Sequence, residues 1–387
     1  MADFRFLTAG ESHGACLTAI VEGLPAGLKI DREGIDRDLA RRQQGYGRGA
    51  RMEIEKDRVT VLSGIRFGET IGSPITLQIQ NKDGKNWAEK MAPFGESAGE
   101  RVTAPRPGHA DYAGIQKYDR QDIRDILERS SARETAARVA VGALAKQFLA
   151  ACGVEIVSQV VNIGGITATL RKREKMLSGD EASALNCFDP VAEEQMKERI
   201  KEAAKDGDTL GGIFEVAVRG VPVGIGSHIQ WDRRLDARLA AAFMSIQAVK
   251  GVEIGDGFRL ADLPGSMAHD ELYIDDRKRV YRRTNHAGGI EGGMSNGEEI
   301  VLRAVMKPIP TLMKPLASVD IATHSPVSAV KERSDVCAVT AASVVGEAMA
   351  ALIITQAVLE KFGGDAMVDV LTALQTYRRR LARENLQ

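Results

Sequence analysis

Cysteine is scarce in this 387-residue chain: four residues, at 16, 152, 187 and 337, with no CxxC pair. That spacing excludes the usual zinc motifs and a disulfide framework. It reads as reduced thiols in a cytoplasmic protein. Aromatic residues make up 5% of the chain, and a single-strand nucleic-acid binder would need more rings for bases to stack on. Charge of one sign is also missing, since 52 Lys and Arg meet 53 Asp and Glu for a net −1. Neither nucleic acid nor an anionic membrane is favoured globally, so any cationic site must be a local cluster. The opening MADFRFLTAG has charges where a secretion signal would be apolar. The length suits one large domain or two ordinary ones, and no Pro, Gly or Ser-rich linker divides the chain cleanly.

One apolar run, 336–359, is long enough to cross a bilayer. Glu347 interrupts it at the middle, and Ala, Gly and Ser dominate it. A buried central helix packed closely by its neighbours fits that composition better. Apolar spacing predicts further helices over 31–43, with Asp31 as N-cap, and over 132–151, 190–206 and 233–248. Alternating Val- and Ile-rich stretches predict strands over 53–64, 73–80, 153–164, 211–219 and 298–306. The order lacks a regular βαβ rhythm, so the expected class is α+β with layered sheets and helices. The polar stretch 171–208 reads as a surface excursion.

Several segments look chemical. Gly10-Glu11-Ser12-His13-Gly14 follows a short strand-like run and presents a histidine, the side chain that titrates nearest neutrality. Arg106-Pro107-Gly108-His109 presents another from a tight turn. Either histidine could equally be a satisfied structural one. Arg41 to Arg51 packs four arginines and three glycines into eleven residues, suited to a small anion or a closing loop, though a solvated basic loop has the same composition. Ser131-x-x-Glu134 fits a capping box, and a helix start flanked by Arg129 and Arg133 is also a natural phosphate site. Lys307-Pro308-Ile309-Pro310-Thr311 is a stiff loop after a strand. Arg333-Ser334-Asp335 precedes the long apolar helix, which Ser334 or Asp335 could cap. Asn285 to Gly297 is dense in glycine, as backbone pressed against a bulky ligand would be.

In this order the segments AGESHG, RRQQGYGRG, RPGHADY, RSSARET, QAVKGVEIGDGF, NHAGGIEGGMSNG, KPIPT and RSDVCAV resemble the signatures of the chorismate synthase family, from about Phe4 to Glu360. The resemblance implies a single large domain over 1–387, a β-α-β sandwich whose sheets enclose central helices, assembled as a homotetramer. It implies 1,4-elimination of phosphate from 5-enolpyruvylshikimate 3-phosphate, with reduced FMN required and no net redox change. NADPH would enter only if the chain reduces its own flavin, and Arg42 and Arg48 would then meet it.

The resemblance also implies roles. His13 would protonate the leaving phosphate, His109 would stand near the flavin, and Asp335 would take part in proton abstraction. Arg42, Arg48, Arg51, Arg133 and Arg333 would bind substrate anions. FMN would be held by Arg129, Ser130, Ser131, Ala132, Gln247, Ala248, Gly292, Lys307, Pro308, Ile309, Pro310, Thr311 and Arg333. Gln247 stands where many relatives carry Asn. No metal site is expected. The rivals are a net-redox flavin oxidoreductase, which should show a GxGxxG after a strand, and an RNA-binding protein using the 41–51 loop.

Overall fold

The computed structural model describes residues 4–49, 55–95, 99–169, 183–329 and 335–384. Two antiparallel sheets face each other across a layer of helices. The first contains β1 (Arg5–Ala9), β2 (Cys16–Glu22), β3 (Val59–Ser63) and β4 (Ile75–Gln80), in the order β1-β2-β4-β3. Its alternation is clean. Leu17, Ala19 and Val21 of β2 and Ile75, Leu77 and Ile79 of β4 are buried, while Thr18, Thr76 and Gln78 point the other way. Side chains alternate across a strand, so one face of this sheet is apolar and the other polar.

The second sheet contains β5 (Glu155–Ile163), β6 (Gly212–Arg219), β7 (Val249–Ile254) and β8 (Ile300–Met306), in the order β7-β8-β6-β5, with a short strand at Ile166–Thr167 beyond β5. β5 and β6 are buried on both faces. Phe214 and Val216 of β6 meet Gly346 in the helical layer. Between them Glu215 points to the opposite face, where it accepts from Gln159 of β5 and Arg303 of β8, both at 2.9 Å. The register pairs Glu215 with each of these residues, so the trio is one cross-strand row.

Among the described residues the α-helices longer than one turn are α1 (Arg32–Gln43), α2 (Asp111–Tyr118), α3 (Arg124–Ser130), α4 (Thr135–Ala151), α5 (Pro190–Lys205), α6 (Leu235–Met244), α7 (Val339–Phe362) and α8 (Met367–Glu384). α4 lies against the first sheet, α7 against the second, and the two helices pack on each other. Their contact is close because both are rich in small residues. A Cβ at Gly142 of α4 would stand 2.3 Å from the Cβ of Ala348 on α7. Among the described residues α7 is the one helix long and apolar enough to cross a membrane, and 83% of its apolar window is buried inside the fold. Gly363, at φ +60°, ends it and returns its N–H to Leu359 O at 2.8 Å.

The five expected helices and five expected strands all appear, with shifted ends. The α+β layering is as expected. Asp31 stands at the N-cap of α1 as expected, with its carboxylate bound to Arg37 at 2.7 Å. Two details differ. Ser131 caps only a 3-10 turn, Ala132–Glu134, by accepting from Arg133 N at 3.2 Å, and Glu134 spends its carboxylate elsewhere. Asp335 does not cap α7, whose N-cap is Ala338. Strands β2 and β7 and helices α2, α3 and α8 had no counterpart in the sequence reading.

Candidate active site

The turn between β1 and β2 carries His13. Its backbone N–H reaches Glu128 Oε2 of α3 at 2.9 Å, and its Nδ1 lies 2.9 and 3.0 Å from the two oxygens of the same carboxylate. Arg124, one turn earlier on α3, donates to Glu128 Oε1 at 3.0 Å. Burial pushes the Glu128 carboxyl upward, but its bonds to His13 and the charge of Arg124 outweigh this and hold it below its ordinary value. The ring of Trp87 tilts over the imidazole with 4.3 Å between centroids.

Behind this turn runs a buried polar chain. Asn81 donates to Glu11 O and Gly14 O at 3.0 and 2.9 Å, and its own Oδ1 accepts from Arg133 Nε at 2.9 Å. Arg133 Nη1 lies 2.7 Å from both oxygens of Asp57, which also accepts from Arg42 at 2.9 Å. Glu55 stands 3.8 Å from Arg133. Arg42 and Arg133, both expected to bind substrate anions, are thus about 95% buried and share one carboxylate. Burial pushes the Arg42 guanidinium down to about 10, which leaves it charged at neutral pH. Its Nε has no partner among the described residues.

Arg129 crosses to the same turn, donating to Thr8 O at 2.9 Å and Gly10 O at 3.1 Å. It borders a cleft of about 430 Å³, together with Phe6, Thr8, Glu134, Arg138 and Gln247. Gln247 donates to Glu134 at 3.3 Å, while its buried Oε1 has no partner among the described residues. A buried acceptor left unmatched calls for a donor from a ligand. The imide N–H of a flavin is such a donor, Phe6 offers apolar surface to a ring, and Arg129 offers charge to a phosphate. The cleft therefore fits a flavin nucleotide. Ala248, next in sequence, takes φ +66°, and its carbonyl accepts from Lys307 N at 2.9 Å.

Lys307 leads to the second histidine, because its ammonium donates to Gly108 O. His109 Nδ1 makes a short bond to Asp111 Oδ1 at the start of α2. Arg106 donates to the other oxygen of Asp111 at 2.9 Å. Burial again works upward on this carboxyl, but the His109 and Arg106 bonds drive it well below the usual carboxylate range. Asp335 forms a third group, with Arg48 Nη1 at 2.8 Å and Gly49 N at 2.6 Å.

Of the candidate residues, His13, Arg42, Arg129 and Arg133 join one network, and Gln247 joins it through Glu134, which accepts from Thr8 at 2.7 Å. Ser130 bonds back to Ile126 O at 2.8 Å, and Ile309 O accepts from Thr209 at 2.8 Å. Gly292 lies on the hairpin Ile290–Ser295, whose Gly293 O accepts from Leu235 N at the start of α6 at 2.9 Å. Arg51 and Arg333 fall outside the described residues. Glu128, Asp111, Asp57, Asn81 and Trp87 were not singled out from sequence. Only the two histidine motifs hinted at them, since a working imidazole usually has a carboxylate on its other nitrogen.

The family model for chorismate synthase matches residues 4–359. The chain belongs to the chorismate synthase family. It is 59% identical to the chorismate synthase of Geobacter sulfurreducens, over 96% of this chain and 98% of that one. It is 57% identical to that of Syntrophotalea carbinolica, over 97% and 98%. A crystal structure of a chorismate synthase superposes with a TM-score of 0.80 at 44% identity, covering 98% of this chain and 99% of the other. The histidine turns and the arginine network thus sit in a chorismate synthase frame along nearly the whole chain.

Proposed function

We propose that this chain catalyses the lyase reaction of its family, the 1,4-anti elimination that turns 5-enolpyruvylshikimate 3-phosphate into chorismate. The ring C–O bond breaks and phosphate leaves with the electron pair. A ring proton departs, its C–H electrons form a new ring double bond, and the existing ring double bond shifts to the carbon that loses phosphate. Reduced FMN, when bound, lends electron density to the substrate, with no net redox change. Arg129 and Gln247 would hold it with Ser130, Ser131, Ala132, Ala248, Gly292, the 307–311 loop and Arg333. NADPH is needed only if the chain reduces its own flavin.

The observation that carries the reading is the His13 turn. The imidazole is clamped between Glu128 and Trp87, on a turn that Asn81 ties to Arg133. A proton donor beside guanidinium groups suits a departing phosphate, whose developing charge is best met by donors already in place. His13 would supply that proton from Nε2. His109 would hold a proton near the flavin, and Asp335 would receive the ring proton. Arg42, Arg48, Arg51, Arg133 and Arg333 would match the substrate's carboxylates and phosphate.

One core cluster runs through both sheets and the helices between them, which favours the whole chain acting as a single domain. Leu272 and Ile274 stand 62% and 71% exposed on one hairpin, and Phe258, on the same connection between β7 and β8, is 78% exposed. Such apolar surface is covered in assemblies, in keeping with a homotetramer.

The test is anaerobic turnover with prereduced FMN, following chorismate and phosphate. His13→Ala and His109→Ala should each lower turnover by about 10²–10⁴-fold while flavin still binds. Absence of product from folded, flavin-bound protein would return the net-redox oxidoreductase to first place.

A further inference from the structure

Both candidate proton-transfer histidines are held in the same way. Each turns Nδ1 toward a carboxylate, and each carboxylate is also gripped by an arginine. The first set is Arg124, Glu128 and His13; the second is Arg106, Asp111 and His109. The side chains of Glu128 and Asp111 are 2% and 1% exposed. Neither arrangement follows from sequence spacing alone. In the first the acid comes 115 residues after the histidine, and in the second 2 residues after it.

An ionised carboxylate can only accept hydrogen bonds. A ring nitrogen that faces one therefore carries the proton, and in the neutral imidazole the other nitrogen then holds the lone pair. We propose that Glu128 and Asp111 are positioning residues for the elimination: they keep a proton on Nδ1 of His13 and His109 and aim each Nε2 at the reacting molecule, so that the imidazolium gives up its Nε2 proton and the neutral ring left behind is the Nδ1–H form. The inference rests on the proposed reaction and on the two histidines as its proton carriers. At His13 the geometry is over-determined. Glu128 binds both the backbone N–H and the ring, so rotating the imidazole would break a contact that the backbone bond keeps in register. Trp87 fixes the ring plane, and Nε2 stands 4.0 Å from Asp83 Oδ2, beyond hydrogen-bond length. At His109 the acid sits in the first turn of α2 and Arg106 grips it through Nε and Nη2, so the acid cannot swing away.

The test uses the full-length chain with Glu128→Ala, Glu128→Gln and Asp111→Asn, and His13→Ala as control. Imidazole tautomers are read by long-range ¹H–¹⁵N correlation on ¹⁵N-labelled protein, at a pH where the rings are neutral. Turnover is read anaerobically with prereduced FMN. The expected result for wild type is Nδ1–H at both histidines. Glu128→Ala should leave His13 a mixture of tautomers, and kcat should fall about 10–100-fold with KM changed less than about threefold. Glu128→Gln keeps one acceptor oxygen and should recover part of the loss, and it decides the matter if the alanine variant does not fold. Asp111→Asn should act on His109 alone. An unchanged tautomer in the Glu128 variants, or a loss carried wholly by KM, would overturn the proposal. If His13→Ala itself turns over normally, the acid role of His13 falls. If it loses turnover while Glu128→Ala does not, only the positioning role falls.

Discussion

Replacing Glu347 by Gln tests how the central helix is anchored. Glu347 is 1% exposed at the middle of α7, where α1, α4 and β5 converge on it. Arg41 of α1 meets its two oxygens at 2.7 Å each, Lys146 of α4 at 2.8 Å, and Ser158 of β5 donates at 2.6 Å. Asp38 answers the same two cations, at 3.1 Å from Arg41 and 2.9 Å from Lys146. Burial alone would raise the Glu347 carboxyl, but Lys146 and Arg41 hold it well below the ordinary carboxylate range. Glutamine keeps the shape and one acceptor oxygen but removes the charge. Deleting one partner of a buried pair costs about 3–5 kcal/mol. Arg41 is 37% exposed and both cations keep Asp38, so a loss of about 2–4 kcal/mol is expected here. A chain of this length has an unfolding entropy of about 0.8 kcal/mol/K, so a loss of about 3 kcal/mol lowers Tm by about 4 °C.

The pH dependence gives the sharper check. The folded value of Glu347 lies below its unfolded value near 4.5. Its contribution is therefore complete above that pH and is lost as pH falls toward the folded value, at about 1.4 kcal/mol per unit. The stability gap between wild type and Glu347→Gln, measured by urea unfolding, should be full at about pH 7 and smaller by about 1.4 kcal/mol at about pH 3.5. A gap that is absent at neutral pH, or that does not move with pH, would refute the assignment of an ionised, stabilising Glu347.

Gly142→Ala should destabilise by about 1–3 kcal/mol in a thermal melt, because its Cβ would lie 2.6 Å from Ala348 Cα and force α4 and α7 apart. A gain in stability, as helix propensity alone would give, would contradict the close approach. Gln247→Glu puts a second carboxylate against Glu134, now 3.3 Å from the Gln247 amide, and removes the donor between them. Flavin affinity by fluorescence titration should fall about tenfold, equivalent to about 1.4 kcal/mol, and an unchanged affinity would detach Gln247 from the cofactor cleft.

The fold was legible where pattern and burial coincide. Ala-rich runs at 135–151 and 339–362 form the two central helices, and β4 and β8 follow their apolar alternation. Glu347 could be recognised as the mark of a soluble helix, yet its partners could not, since Arg41 lies 306 and Lys146 201 residues away. Helix α8 escaped notice because its stretch is mostly polar and only one face, through Val370 and Leu374, reaches the core. Helices α2 and α3 are short, and they bury a small separate cluster of Ile115, Ile123 and Ile126. A seven- or eight-residue helix gives too few turns for a period to emerge.

At the site, the basic half was legible and the acidic half was not. Arginines and histidines stand in dense, glycine-rich motifs, whereas Asp57 and Glu55 lie in a segment with no motif at all. The structure nevertheless gives most of these cations an acid: Asp57 for Arg42 and Arg133, Asp335 for Arg48, Glu134 for Arg138, Asp111 for Arg106 and Glu128 for Arg124. This pairing lets a chain of net charge −1 concentrate guanidinium groups without a large self-repulsion. It also means that an anionic substrate does not meet bare cations. On the proposed reading the substrate uses N–H groups that the acids leave over, so binding should depend on the acids that orient each arginine as well as on the arginines themselves.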